Sequence, residues 1–192
     1  SAQPARLGTA KSLLGIEVHF RFDRSDLDMD YMGNSDALAR LSEAIDSIGL
    51  HMIDSIIIVS HSSPEGSYKY NIALSQKRAA TMRSTIQEHF PELSGFLRVS
   101  SSGESWEQLR DYVAADEKMK RSTIDNVLKV IDSDVNIHTK KWRMQQLPVY
   151  RYLLQTYYPR LRNSVFCIVY YSVPPLPEVN PVTQTSIPLP TE

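Results

Sequence analysis

The sequence predicts an α+β domain: a four-stranded mixed sheet packed against helices, in βαβα order, with a helical insert before the last strand. Three observations carry that expectation. Apolar Ile16, Val18, Phe20 and Phe22 alternate with polar residues, a period of two that marks a half-buried strand. Two segments of helical spacing then alternate with two further β-rich segments, the pattern of a partly parallel sheet with packed helices. Residues 104–160 turn wholly helical before a β-branched and aromatic run returns at 165–171.

Taken in order, residues 1–14 read as a linker and the first firm element begins at Ile16. Gly33-Asn34-Ser35-Asp36 offers helix-cap chemistry, and Leu38, Leu41, Ile45 and Ile48 fall at helical spacing until Gly49 stops the helix. Ile56, Ile57, Ile58 and Val59 are consecutive, which predicts a central strand buried on both faces. The turn cluster at 62–67 ends in Ser67, a cap for a helix over 68–90. On that helix Tyr68, Ile72, Ala79, Met82, Ile86 and Phe90 share one face, and Pro91 lies just past its end. A short strand follows at 96–101. The insert reads as helices over 105–115, 122–131 and 140–157, with Pro148 breaking the third. After the last strand, a tail over 174–192 holds six of the 11 prolines and reads as a linker or a partner-bound strap.

Composition narrows the function classes. The 192 residues carry 21 Lys+Arg against 22 Asp+Glu, a net charge of -1, and no nucleic-acid partner is expected without a basic field. The longest apolar runs, 56–59 and 165–171, fall far short of the roughly 20 residues that span a bilayer, so membrane contact is expected only through regions outside this chain. The single cysteine, Cys167, permits no internal disulfide and reads as an inert core thiol. The chain opens on Ser1 with no charged-then-apolar signal region, as a processed product or a piece of something longer would.

Catalytic signatures are missing: there is no G-x-S-x-G, S-x-x-K, H-E-x-x-H or G-x-x-x-x-G-K. The histidines at 19, 51, 61, 89 and 138 show no metal-ligand spacing. Hence no catalytic residue, metal or cofactor is expected. His61 beside Ser62 and Ser63 suggests a nucleophile and base only superficially, because adjacent strand residues point to opposite faces.

The informative stretch is 60–79, SHSSPEGSYKYNIALSQKRA, where Asn71, Leu74, Ser75, Arg78 and Ala79 match N-x-x-L-S-x-x-R-A. This resembles the second helix of the OmpA-like C-terminal domain, the peptidoglycan-associating module of Gram-negative envelopes. Phe20-Arg21-Phe22-Asp23 with Leu27 is similar to that family's first strand and its exit. The resemblance covers 16–101 and resumes at 164–172. Ser63-Pro64-Glu65-Gly66, Gly103-Glu104-Ser105-Trp106-Glu107-x-Leu109 and Tyr158-Pro159-Arg160-Leu161-Arg162 resemble the OmpA-like proteins of the Bacteroidetes, in which a helical excursion interrupts the domain before its last strand. The resemblance thus implies one OmpA-like domain over 15–173, with its insert at about 104–160.

It also implies a site. In the family a loop Asp and the helix Arg receive the free amino acid end of diaminopimelate in the peptidoglycan stem peptide, the acid pairing with the ammonium and the guanidinium taking the carboxylate. Carried over, Arg78 would take the ligand carboxylate, with Asn71 adding a neutral hydrogen bond and Leu74 beside them. These three lie within about 60° of one another on the helix, next to its apolar face. The position of the loop Asp is Ser63, which has no charge, so Glu65 is the candidate carboxylate. Each residue also has a purely structural reading. Arg78 could shield a core edge with its methylenes, Asn71 could tie down the preceding turn, and Glu65 could be a solvated loop charge. Trp106 reads as a packing anchor, Tyr150, Tyr152, Tyr157 and Tyr158 as insert packing ahead of a sugar-stacking surface, and Lys140, Lys141 and Arg143 as a solvated basic face.

The function implied is a noncatalytic module at the periplasmic face of the outer membrane, tethering an outer-membrane or lipid-anchored protein to peptidoglycan. The alternative is a protein interaction module of a surface appendage or secretion assembly that keeps the fold without the ligand, its partners being other envelope or appendage proteins.

Overall fold

A computed structural model describes residues 10–174, so part of the expected linker and nearly all of the expected Pro-rich tail lie outside the described residues. Four strands form one sheet in the order β1-β4-β2-β3. β1 (Ala10–His19) and β2 (Ile53–Ser62) both run antiparallel to β4 (Ser164–Val173), whereas β3 (Leu97–Glu104) runs parallel to β2. This is the mixed sheet of an α+β fold.

β1 opens at Ala10, ahead of the alternation at Ile16, so residues 10–14 are strand and not linker. Their backbone pairs with β4 from Ala10 opposite Val173 onward, with Leu14 partly buried against the core and Leu13 61% exposed; adjacent leucines on opposite faces, beside polar Ser12 and Gly15, hide the period of two. At its other end the strand stops at His19. Phe20 still turns inward and is fully buried, whereas Phe22, expected to do the same, is 68% exposed on the loop beyond.

α1 (Asn34–Ile48) is flanked by Gly33 and Gly49, both at positive φ, the backbone region glycine enters at little cost. Asn34 caps nothing. Its buried carboxamide accepts from the His19 N–H at 2.8 Å and donates to the carbonyls of His19 (2.8 Å) and Asp28 (2.7 Å), tying the exit of β1 to the helix start. α2 (Tyr68–His89) is capped as expected by Ser67, whose hydroxyl accepts from the Tyr70 N–H at 3.3 Å.

α1 and α2 share one apolar cluster with the inner face of the sheet, where Ile56 and Ile58 are fully buried. β2 is central, but it is not buried on both faces: Ile57 and Val59 point away from the helices and are half-buried. A continuous apolar run thus serves one covered and one partly open face.

Between β3 and β4 come α3 (Trp106–Ala114), α4 (Arg121–Ile131), α5 (Ile137–Gln146), α6 (Tyr150–Thr156) and α7 (Tyr158–Arg162). Pro148 separates α5 from α6, where its missing N–H ends the ladder. These helices form a second apolar cluster containing Leu109, Val113, Val127, Met144, Leu153 and Tyr158. The tyrosines pack it: Tyr112 and Tyr157 stack with ring centroids 5.4 Å apart, and Tyr150 meets Tyr158 edge-on at 5.9 Å.

Candidate ligand-binding site

A cavity of about 320 Å³ opens between the loop after β1, the loop 62–67 and the first turns of α2. Ser63, Glu65, Asn71 and Leu74, four of the five expected site residues, line it together with Phe22, Asp23 and Tyr70. Arg78 does not.

The loop is shaped by its own backbone and by Asn71. Gly66 has φ 71, a value that favours glycine, and the Glu65 N–H donates to the Ser63 carbonyl at 2.8 Å. The Asn71 carboxamide donates to the carbonyls of Ser63 (3.2 Å) and Glu65 (2.6 Å), the turn-holding role its type suits. The buried Ser63 hydroxyl donates to Glu65 Oε1 at 3.3 Å, so the uncharged residue at the expected acid position orients the carboxylate two residues on.

A second carboxylate faces the same cavity. Asp23 sits at φ 56, a left-handed conformation that Asp tolerates better than most side chains, and accepts a hydrogen bond from the Tyr70 hydroxyl. That bond pushes the Tyr70 phenol above its ordinary pKa. Among the described residues, the lining carries two carboxylates and no cationic side chain, over an apolar surface from Leu74 and Phe22.

Arg78 lies on the buried face of α2, not beside it, and is fully buried. Its Nε donates to the Arg24 carbonyl at 2.8 Å and its Nη2 to the Arg21 carbonyl (3.2 Å) and Asn163 Oδ1 (3.3 Å), with the guanidinium 5.3 Å from the Phe20 ring centroid. Burial lowers its pKa to about 10, partly opposed by Tyr70 and Asp23, so it stays cationic at neutral pH. One helical turn on, the Thr81 hydroxyl donates to the Ser25 carbonyl at 2.7 Å. α2 thus fastens the loop that carries Asp23. In this arrangement Arg78 reaches a ligand carboxylate only if the 21–24 carbonyls release it.

Asp23, Phe22 and Tyr70 were not singled out as site residues. The signal for Asp23 was present, because an acid closes Phe20-Arg21-Phe22-Asp23 where the strand gives way to a polar loop. Lys141 differs from its expected place on a solvated basic face: it is 7% exposed, and its ammonium pairs with buried Glu104 and donates to the Gly66 carbonyl at 2.9 Å. His61 and Ser62 belong to different surroundings, His61 lining a separate cavity with Glu107 and Asp111, and Ser62 lining the one above. Among the described residues, no group of three or more His, Cys, Asp or Glu is placed to hold a metal ion, and no helix is long and apolar enough to cross a membrane.

No protein-family model and no curated protein matches the chain. Among solved structures, it is similar to the cell wall anchor of the T6SS from Pseudomonas aeruginosa, at 12% identity and a TM-score of 0.42 over 86% of this chain and 88% of that one. At that level of similarity nothing about function transfers.

Proposed function

We propose that this chain is a noncatalytic cell-envelope module that binds peptidoglycan through the cavity beside α2, taking the free amino acid end of a diaminopimelate-type stem peptide. The observation that carries the reading is the acidic cavity itself, built at the place to which the N-x-x-L-S-x-x-R-A motif points. Asp23 and Glu65 receive the ammonium, and Leu74 and Phe22 cover the methylene stem. Asn71 and Ser63 hold Glu65 in place. Arg78 fastens the Asp23 loop from beneath, and it meets the ligand carboxylate only when the 21–24 carbonyls release its guanidinium. The module is one OmpA-like unit that runs from β1 to β4 with the insert as part of it, set in the periplasm, where it tethers a larger outer-membrane or lipid-anchored protein. No bond is made or broken, so a modest affinity suffices where many copies or an anchor add avidity.

Two observations favour the second reading, a protein interaction module of a surface appendage or secretion assembly: Ser63 is uncharged, and Arg78 donates to the Arg24 and Arg21 carbonyls and to Asn163 Oδ1. Sedimentation with purified sacculi separates the two. Wild type is expected to co-sediment, and Asp23→Asn, which keeps an acceptor for Tyr70 while removing the charge, to lose most of that binding without loss of fold. A wild type that stays in the supernatant rejects the peptidoglycan reading.

A further inference from the structure

We propose that the helical insert holds the cavity loop in its binding shape through Lys141, which makes Lys141 a positioning residue for the ligand; the inference rests on the cavity being the binding site. Lys141 lies in the middle of α5, and its ammonium points out of the insert at the turn of the loop, donating to the Gly66 carbonyl at 2.9 Å. The ammonium is itself fixed by Glu104, at the end of β3, whose side chain is 1% exposed. The other Glu104 oxygen accepts from Trp106 Nε1 at 2.9 Å, so the carboxylate cannot swing away. A register shift between Ser60 and His61 sets Glu104 directly opposite Ser62, at the mouth of the loop.

The insert also grips the loop's other end. The backbone N–H and hydroxyl of Ser105 both donate to the Ser62 carbonyl, at 2.9 and 2.8 Å. The carbonyls of Ser62 and Gly66 are therefore held from the insert, and those of Ser63 and Glu65 from α2 by Asn71. Shifting the Glu65 carboxylate by rotation of the loop breaks one of these four ties. A buried ammonium that bonds a carbonyl in a glycine turn, when its neighbour Lys140 instead lies over the Trp106 ring, is a specific tie and not a basic surface.

Removing Lys141 alone would leave Glu104 buried and unpaired, so the test uses the double variant Lys141→Met/Glu104→Gln, with Lys141→Arg as the conservative control. Hydrogen exchange is read over 62–70 and over the β2 core at 56–59, and affinity is measured for a soluble diaminopimelate-containing muropeptide. In the double variant, exchange over 62–70 is expected to accelerate while 56–59 keeps its protection, and affinity to fall about tenfold, within the usual range of coupling between sites. Lys141→Arg is expected to preserve both. Unchanged exchange over 62–70 overturns the inference, as does a loosened loop that still binds with wild-type affinity. If wild type itself does not bind the muropeptide, the functional reading fails separately, and the exchange result still decides whether the insert holds the loop.

Discussion

Asn71 and Arg78 each hand their donors to backbone carbonyls, and this sets what can be read from residue types alone. Both were legible as members of a spaced motif. The turn that Asn71 ties down was legible as well, lying just before it, but the partners of Arg78 were not, because Arg78 meets the Arg24 carbonyl 54 residues away, and no local pattern encodes such a distance. Helical spacing placed Arg78 beside the apolar face, where a cation, seldom fully buried, would be expected to stay. The Arg24 and Arg21 carbonyls, Asn163 Oδ1 and the Phe20 ring override that preference. Asp116 makes a similar hub in the insert. Burial pushes its pKa up, but hydrogen bonds from Tyr157, Tyr152 and the N–H groups of Met119 and Lys118 outweigh this and hold it at about 2. A depressed carboxylate stabilises the fold above its unfolded pKa, near 4, and that contribution disappears as pH falls toward 2. Asp116→Ala should therefore destabilise the insert by about 2–3 kcal/mol at pH 7 and flatten its acid transition. Thermal melts across pH 7 to 2 check this, and an unaltered acid transition in the variant would remove Asp116 from that role.

At the level of elements, helix ends and central strands were readable because glycine, proline and serine mark them chemically. Gly33, Gly49, Ser67, Pro91 and Pro148 all stand at or just beyond observed element boundaries. The first half of β1 was not readable, since Leu13 and Leu14 face opposite sides and Ser12 and Gly15 break the apolar alternation, although burial itself alternates. The one-sided burial of β2 was hidden for the opposite reason: apolar residues on both faces look alike whether or not helices cover the second face. The insert owns its core, and both tryptophans of the chain belong to the insert, Trp106 packed against that core and Trp142 exposed on α5. Leu153, fully buried in that cluster, is the sharpest place to loosen it. Leu153→Ala should cost about 2–5 kcal/mol and lower the midpoint followed by tryptophan fluorescence. A fluorescence midpoint equal to that of wild type would show that this cluster does not stabilise the insert.

Across the whole molecule, two apolar clusters meet at a short polar seam made by Ser62–Ser105 and Glu104–Lys141, and the acidic cavity opens beside it. The sheet side contributes the lining, while the insert contributes ties to the loop that completes it. Sequence reasoning reached the helix and loop side of the lining because the motif keeps Asn71 and Leu74 on one helix, with Ser63 and Glu65 just before it. It missed Asp23, which arrives from another loop, and the Lys141 tie, which spans 75 residues. The central claim is that this cavity takes the ammonium-bearing end of a stem peptide, and the most direct measurement is an NMR titration of the isotopically labelled chain with a soluble diaminopimelate-containing muropeptide. The account predicts saturable shifts confined to residues 22–23, 62–67 and 70–74, absent with the same muropeptide acetylated on its free amine. Saturable shifts elsewhere on the surface, or none at all, would contradict it.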